Sequence, residues 1–238
     1  MEIEYLIFIL LGFASACVSA VFGFGTALLV LALGTYILPV QDTIALATVL
    51  FAASTITKTI VYRKDFDWRI VIIMSAASLP FAYLGAFMMT DLPTEWLSRL
   101  LGLMILSYVI LTRFRLIPSF KIGTPGLIAG SASYGFISGL LGSGNLVKVI
   151  IFKEMQISKQ AFVGAMAATS VLANVAKLHA YTESGLINLD QIYPMLGLIV
   201  AAISAVLLGR RVLMKLHTTH FETGLQIILV VSSIGLII

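Results

Sequence analysis

Residues 5–38 contain no charged side chain. About 20 apolar residues in a helix cross the roughly 30 Å hydrocarbon layer of a bilayer. Further apolar runs of similar length follow along the chain, each separated from the next by charges, proline or glycine. No run alternates with the two-residue period of a barrel strand, and lipid cannot satisfy open strand edges, so the spans are helical. Composition agrees: 60% of the 238 residues are hydrophobic and 11% charged, where a soluble domain carries about a quarter charged residues to cover its surface. The chain reads as an all-α integral membrane protein, with no room left for a soluble domain.

The net charge of +4 and pI near 9.2 point to membrane topology rather than nucleic acid. The single cysteine, Cys17, rules out an internal disulfide and a cysteine metal cluster. The start, Met1-Glu2-Ile3-Glu4, is acidic where a cleavable signal peptide is basic.

Charges, prolines and glycines divide the chain into an apolar stretch at 5–38 interrupted by Gly23-Phe24-Gly25, then predicted helices at 43–62, 68–89 and 96–112. A second interrupted stretch at 126–152, broken by Gly142-Ser143-Gly144, precedes predicted helices at 159–181, 190–208 and 221–238. Lys and Arg segregate among the connections. Arg63/Lys64/Arg69, Arg113/Arg115/Lys121, Lys153/Lys159 and Arg210/Arg211/Lys215 form one set, while Glu2/Glu4, Gln41/Asp42, Asp91/Glu95 and Glu183/Asp190 form another without basic residues. The positive-inside rule places the first set in the cytoplasm and the second outside. On that path each interrupted stretch enters and returns, so each is a hairpin with one or both arms too short to span. The first opens outward and the second inward.

A shift of 119 residues lays one half on the other. Gly23-x-Gly25-Thr26 meets Gly142-x-Gly144-Asn145, Lys58 meets Lys177, and Tyr62 meets Tyr181; with a small gap, Leu84-Gly85 meets Leu208-Gly209. The expected architecture is two inverted-topology repeats, residues 1–118 and 119–238, each a glycine-broken hairpin followed by three transmembrane helices. Paired broken segments of this kind mark substrate sites in secondary transporters, because freed backbone at membrane depth must line protein or a wet cavity.

After each Gly-x-Gly a new helix begins, with Thr26 or Asn145 as its natural N-cap. Its first amides lack partners and its dipole end is positive, which makes two such ends a ready anion site. The glycines (Gly23 and Gly25 around Phe24, Gly142 and Gly144 around Ser143) would let a ligand approach backbone amides, although glycine also serves tight helix packing. Lys148 falls in the first turn after Asn145, where a cation opposes the dipole, so it either faces an anion or snorkels toward the inner surface. Lys58 and Lys177 lie about a turn from helix ends, which reads as snorkelling, while their repeat symmetry keeps anion attraction or gating open. Asn174, Ser54 and Thr55 lie about a turn earlier, able to donate to a ligand or to bond between helices. No metal ligand set and no cofactor motif is evident. Every Asp and Glu falls in a loop or near a helix end, whereas cation- and proton-coupled carriers usually keep intramembrane carboxylates. That pattern favours an anionic or neutral cargo. His179, His217 and His220 read as interfacial or cytoplasmic.

The segments GFASACVSAVFGFGTALLVLALG and GLIAGSASYGFISGLLGSGNLVKVIIF, with ALATVLFAASTITKTIVYRKDFDW, resemble the TauE/SafE family of bacterial sulfite or organosulfonate exporters over nearly the whole chain. The resemblance implies a multi-pass transporter of the bacterial cytoplasmic membrane, carrying sulfite or a C2 sulfonate such as sulfoacetate, without cofactor or metal. Its partners would be the small anion, the bilayer and a second copy in a homodimer. The alternative is an anion channel or a carrier for a different small carboxylate or oxyanion, and the competing class is an intramembrane serine hydrolase using Ser143 and His179. It needs Gly-x-Ser-Gly, and position 141 is Leu. A structural membrane subunit is a third class, but would not need two mirrored breaks.

Overall fold

A computed structural model describes residues 3–22, 26–114, 116, 123–153, 155, 157–212, 230, 233, 234, 236 and 237. The described residues form nine α-helices and one 3₁₀ turn, without strands. In chain order the helices are α1 (Ile3–Phe22), α2 (Thr26–Gly34), α3 (Val40–Val61), α4 (Trp68–Asp91) and α5 (Thr94–Arg113), followed by α6 (Thr124–Leu141), α7 (Asn145–Lys153), α8 (Lys159–Glu183) and α9 (Ile192–Val212). Gly23, Phe24 and Gly25 lie outside the described residues, as does most of the helix expected at 221–238.

Five of these helices, α1, α3, α4, α5 and α8, are long and apolar enough to cross a bilayer. The second arm of each hairpin is the short one. At nine residues each and 1.5 Å per residue, α2 and α7 reach about 14 Å, roughly half the hydrocarbon layer.

Local chemistry sets several of the boundaries. Asp67 caps α4 by accepting from the Arg69 amide at 2.8 Å, and Ser158 caps α8 by accepting from the Ala161 amide at 3.2 Å. Proline stands at the N-cap of α3 (Pro39) and in the first turn of α6 (Pro125), where its missing N–H costs nothing. Gly142 ends α6 with φ +78°, a left-handed backbone that glycine adopts without a Cβ clash.

The two central helices are α3 and α8, which pack on each other. Around them α4 packs on α6 and α8, and α9 packs on α1 and α3. Packing inverts the soluble rule, as it must where lipid is as apolar as the core. On α4 the inward stripe is Ser75, Ser78, Ala82, Gly85 and Ala86, while Ile72, Phe81, Leu84 and Phe87 point outward. The α4–α6 seam is close enough that a Cβ on Gly135 would stand 2.2 Å from the Ser78 carbonyl oxygen, and one on Gly139 2.3 Å from that of Ala82.

Candidate functional site

Helical spacing places Phe51, Ser54, Thr55 and Lys58 along one stripe of α3, and Met166, Ser170, Asn174 and Lys177 along one stripe of α8. These stripes face each other across a cavity of about 50 Å³, closed by Ser19 of α1, Ala27 of α2, Tyr134 and Ser138 of α6, and Gly142, Ser143 and Asn145 at the second break. One water needs about 10–15 Å³ of such space, so the cavity admits several waters or a small oxyanion. No Asp or Glu stands among the described lining residues.

Two lysines reach into this space from opposite sides. The Lys58 ammonium donates to the Ser19 carbonyl at 3.3 Å and to the Ser19 hydroxyl. Lys177 donates to the Gly142 carbonyl at 3.2 Å and to the Ser138 hydroxyl at 3.3 Å. Both are almost wholly buried, so neither snorkels. The snorkelling reading failed because a lysine a turn from the end of α3 or α8 has a nearer polar target than water: the carbonyl-rich C-terminal end of the broken helix beside it.

Lys148 is also fully buried and does not run to the inner surface. It bends from the first turn of α7 onto α8, donating to the Met166 carbonyl at 2.6 Å and to the Ser170 hydroxyl, with the Tyr134 ring centroid 4.4 Å from its nitrogen. Its partners Met166, Ser170 and Tyr134 line the cavity while Lys148 itself lies just behind them. It therefore stands one side-chain layer from the cavity without lining it.

The remaining expected residues divide in two groups. Ser143 and Asn145 line the cavity with Gly142, and Asn174 does too, donating to the Thr55 hydroxyl at 3.2 Å. Gly144 does not line it. A Cβ there would meet the Tyr134 carbonyl at 2.7 Å, so close packing of the break against α6 requires glycine at this position. Thr26 opens α2, and its side chain lies outside the described residues, as do Gly23, Phe24 and Gly25.

The Ser143 and Ser54 hydroxyls are buried without a hydrogen-bond partner and both belong to the lining. A buried hydroxyl without a partner is costly, by about 1–3 kcal/mol, which marks these two as places where a ligand would supply the missing bond. His179 is exposed and stands 3.6 Å from Glu183, as a surface pair.

Sequence reasoning missed Ser19, Ser138, Ser170 and Tyr134. The first two carried a usable signal, for they are equivalent under the 119-residue shift, as are the lysines that bond them. Ser170 and Tyr134 carried none, since the shift equates them with Phe51 and Ser15.

With this geometry in place, comparison with known proteins gives one result. The family model described as "Sulfite exporter TauE/SafE" matches residues 8–236. Neither the curated proteins nor the solved structures contain a match to the chain.

Proposed function

The chain belongs to the TauE/SafE sulfite exporter family, a family of membrane transporters and not of enzymes, and from that premise we propose that it moves a small sulfur oxyanion or C2 sulfonate, such as sulfite or sulfoacetate, held in the cavity between α3 and α8. The observation that carries this reading is the cavity's donor set: two inward lysines and two hydroxyls without partners, with no carboxylate among the described lining residues. Water that hydrates an oxyanion has to be replaced by donors before the ion can enter a low-dielectric interior. The first turn of α7, headed by Asn145, adds the positive end of a helix dipole.

The mechanism we propose is alternating access between two inverted repeats, 1–118 and 119–238, in a bacterial cytoplasmic membrane, with two copies forming a homodimer. The pairing of helices supports the repeat. Exchanging α1–α4 for α6–α9 turns the α4–α6 contact into α9–α1 and the α4–α8 contact into α9–α3, and leaves α3–α8 unchanged. The Thr55–Asn174 hydrogen bond joins two residues that the shift equates, as residues beside a two-fold axis would be.

Calorimetry on purified protein, with sulfite and a panel of sulfonates and carboxylates, tests the substrate reading. Asn145→Leu is expected to weaken sulfonate binding about ten- to a hundredfold, the equivalent of one hydrogen bond to a charged group at about 1.5–3 kcal/mol. Ser143→Gly is expected to weaken it less, because the amide survives. Unchanged affinity in both variants would move the anion elsewhere.

Topology is tested separately by single-cysteine labelling in a Cys17→Ala background. A cysteine at position 64 is expected to be protected from an impermeant reagent added outside, and one at position 183 to be labelled. The opposite pattern overturns the inverted arrangement.

A further inference from the structure

We propose that Lys58 and Lys177 are tethered counter-cations that occupy the place of a coupling metal cation, so that the anion is carried without sodium; this rests on the anion-site reading above. In transporters built on broken helices, the carbonyl-rich C-terminal end of a half-helix, together with nearby oxygens, is where a coupling Na⁺ or H⁺ is held. Both breaks here present such oxygens. At the end of α1 they are the Ser19 carbonyl and hydroxyl, and at the end of α6 the Gly142 carbonyl and Ser138 hydroxyl. In each case a lysine nitrogen already takes one carbonyl and one hydroxyl.

The two arrangements match in register. Lys58 and Lys177, Ser19 and Ser138 are each separated by 119 residues, so the lysine–hydroxyl pair is built twice, while the carbonyl is Ser19's own in one half and Gly142's in the other. A lysine held for snorkelling or packing alone would not need to select the equivalent serine at both breaks. Charge bookkeeping explains what the device does. Each lysine neutralises the negative pole of its half-helix, as a metal cation would, and at the same time faces the cavity from which an anion approaches. Because the cations are covalently part of α3 and α8, they are not moved across the membrane with the cargo. The transported charge is then that of the anion alone.

The test is anion binding and proteoliposome flux with purified protein, using sulfite and sulfoacetate as probes, with sodium present or fully replaced by choline. Wild-type affinity and flux are expected to be unchanged within about twofold by that replacement, and flux to reverse with the sign of an imposed membrane potential. Lys58→Ala and Lys177→Ala are each expected to lose at least about tenfold in affinity, the effect of losing one charge-assisted partner. Millimolar n-propylammonium, the fragment each substitution removes, should restore part of it where sodium does not. A tenfold gain from sodium in the wild type, or wild-type affinity in both alanine variants in choline, overturns this inference and leaves the anion site standing. Wild-type protein that binds neither probe overturns the site reading itself and the inference with it. Should an alanine variant fail to fold, the wild-type sodium comparison still decides.

Discussion

Gly135→Leu is expected to yield no monodisperse protein after extraction, whereas Gly123→Ala in the same helix neighbourhood is expected to purify and melt like the wild type. The difference lies in what each Cβ would meet. At Gly135 it would stand 2.2 Å from the Ser78 carbonyl oxygen and 2.9 Å from the Ser78 Cα, both main-chain atoms that no rotamer change can clear. At Gly123 the nearest atom is the Pro125 Cδ at 3.8 Å, an ordinary contact. Overpacking a core that can relax costs typically 1–3 kcal/mol. Here relief requires the whole α4–α6 seam to open, and Gly85 and Gly139 interlock along the same line. Parting the helices would also cost the close van der Waals contact that holds them together, since lipid supplies no hydrophobic drive in its place. Size-exclusion profiles and thermal melts of the two variants decide it. A well-behaved Gly135→Leu protein would show that the seam is not what positions α6, and with it the second break.

How far the sequence foretold this structure depends on which physical signal each feature left. Helix positions were legible because charge, proline and glycine punctuate apolar runs sharply. The expected helix at 43–62 is observed at Val40–Val61, and that at 190–208 at Ile192–Val212. The second break falls where glycine spacing puts it, between Leu141 and Asn145, while Gly23-Phe24-Gly25 lies outside the described residues. Side-chain direction was not legible. Distance along a helix to its end is a poor guide to distance from water when the helix is central, as α3 and α8 are, so the sequence leaves snorkelling and an inward role both open for Lys58 and Lys177, which point to the breaks. At Gly144 a one-dimensional pattern cannot say which way the missing Cβ points, and it points at the Tyr134 carbonyl rather than into the cavity. Ser170 and Tyr134 escaped notice because they belong to one half only, and the repeat was the instrument that singled residues out.

That asymmetry leads to the second large effect, at Lys148. The 119-residue shift equates it with Leu29, itself buried and apolar, so an apolar side chain at this place in a short arm is compatible with the fold. Lys148→Met should therefore fold, with a melting temperature no lower than that of the wild type, since replacing a buried charge by an apolar side chain of similar length is often neutral or stabilising. Binding is a different matter. Lys148 stands behind Ser170 and Tyr134, one side-chain layer from the cavity. At an effective dielectric of about 20, a unit charge roughly 8 Å from a monovalent anion attracts it by about 2 kcal/mol. Loss of Lys148 is then expected to weaken singly charged methanesulfonate about thirtyfold, and a dianion by about twice the free energy, roughly a thousandfold. The discriminating quantity is the ratio, because a contact made by Lys148 to the sulfonate head alone, or a general loosening of the cavity, would penalise both ligands alike. Calorimetric titration of sulfoacetate and methanesulfonate into the wild type and Lys148→Met gives that ratio directly. Equal losses for the two would sink the view that Lys148 acts through its field; no loss for either would make it a residue of the fold alone.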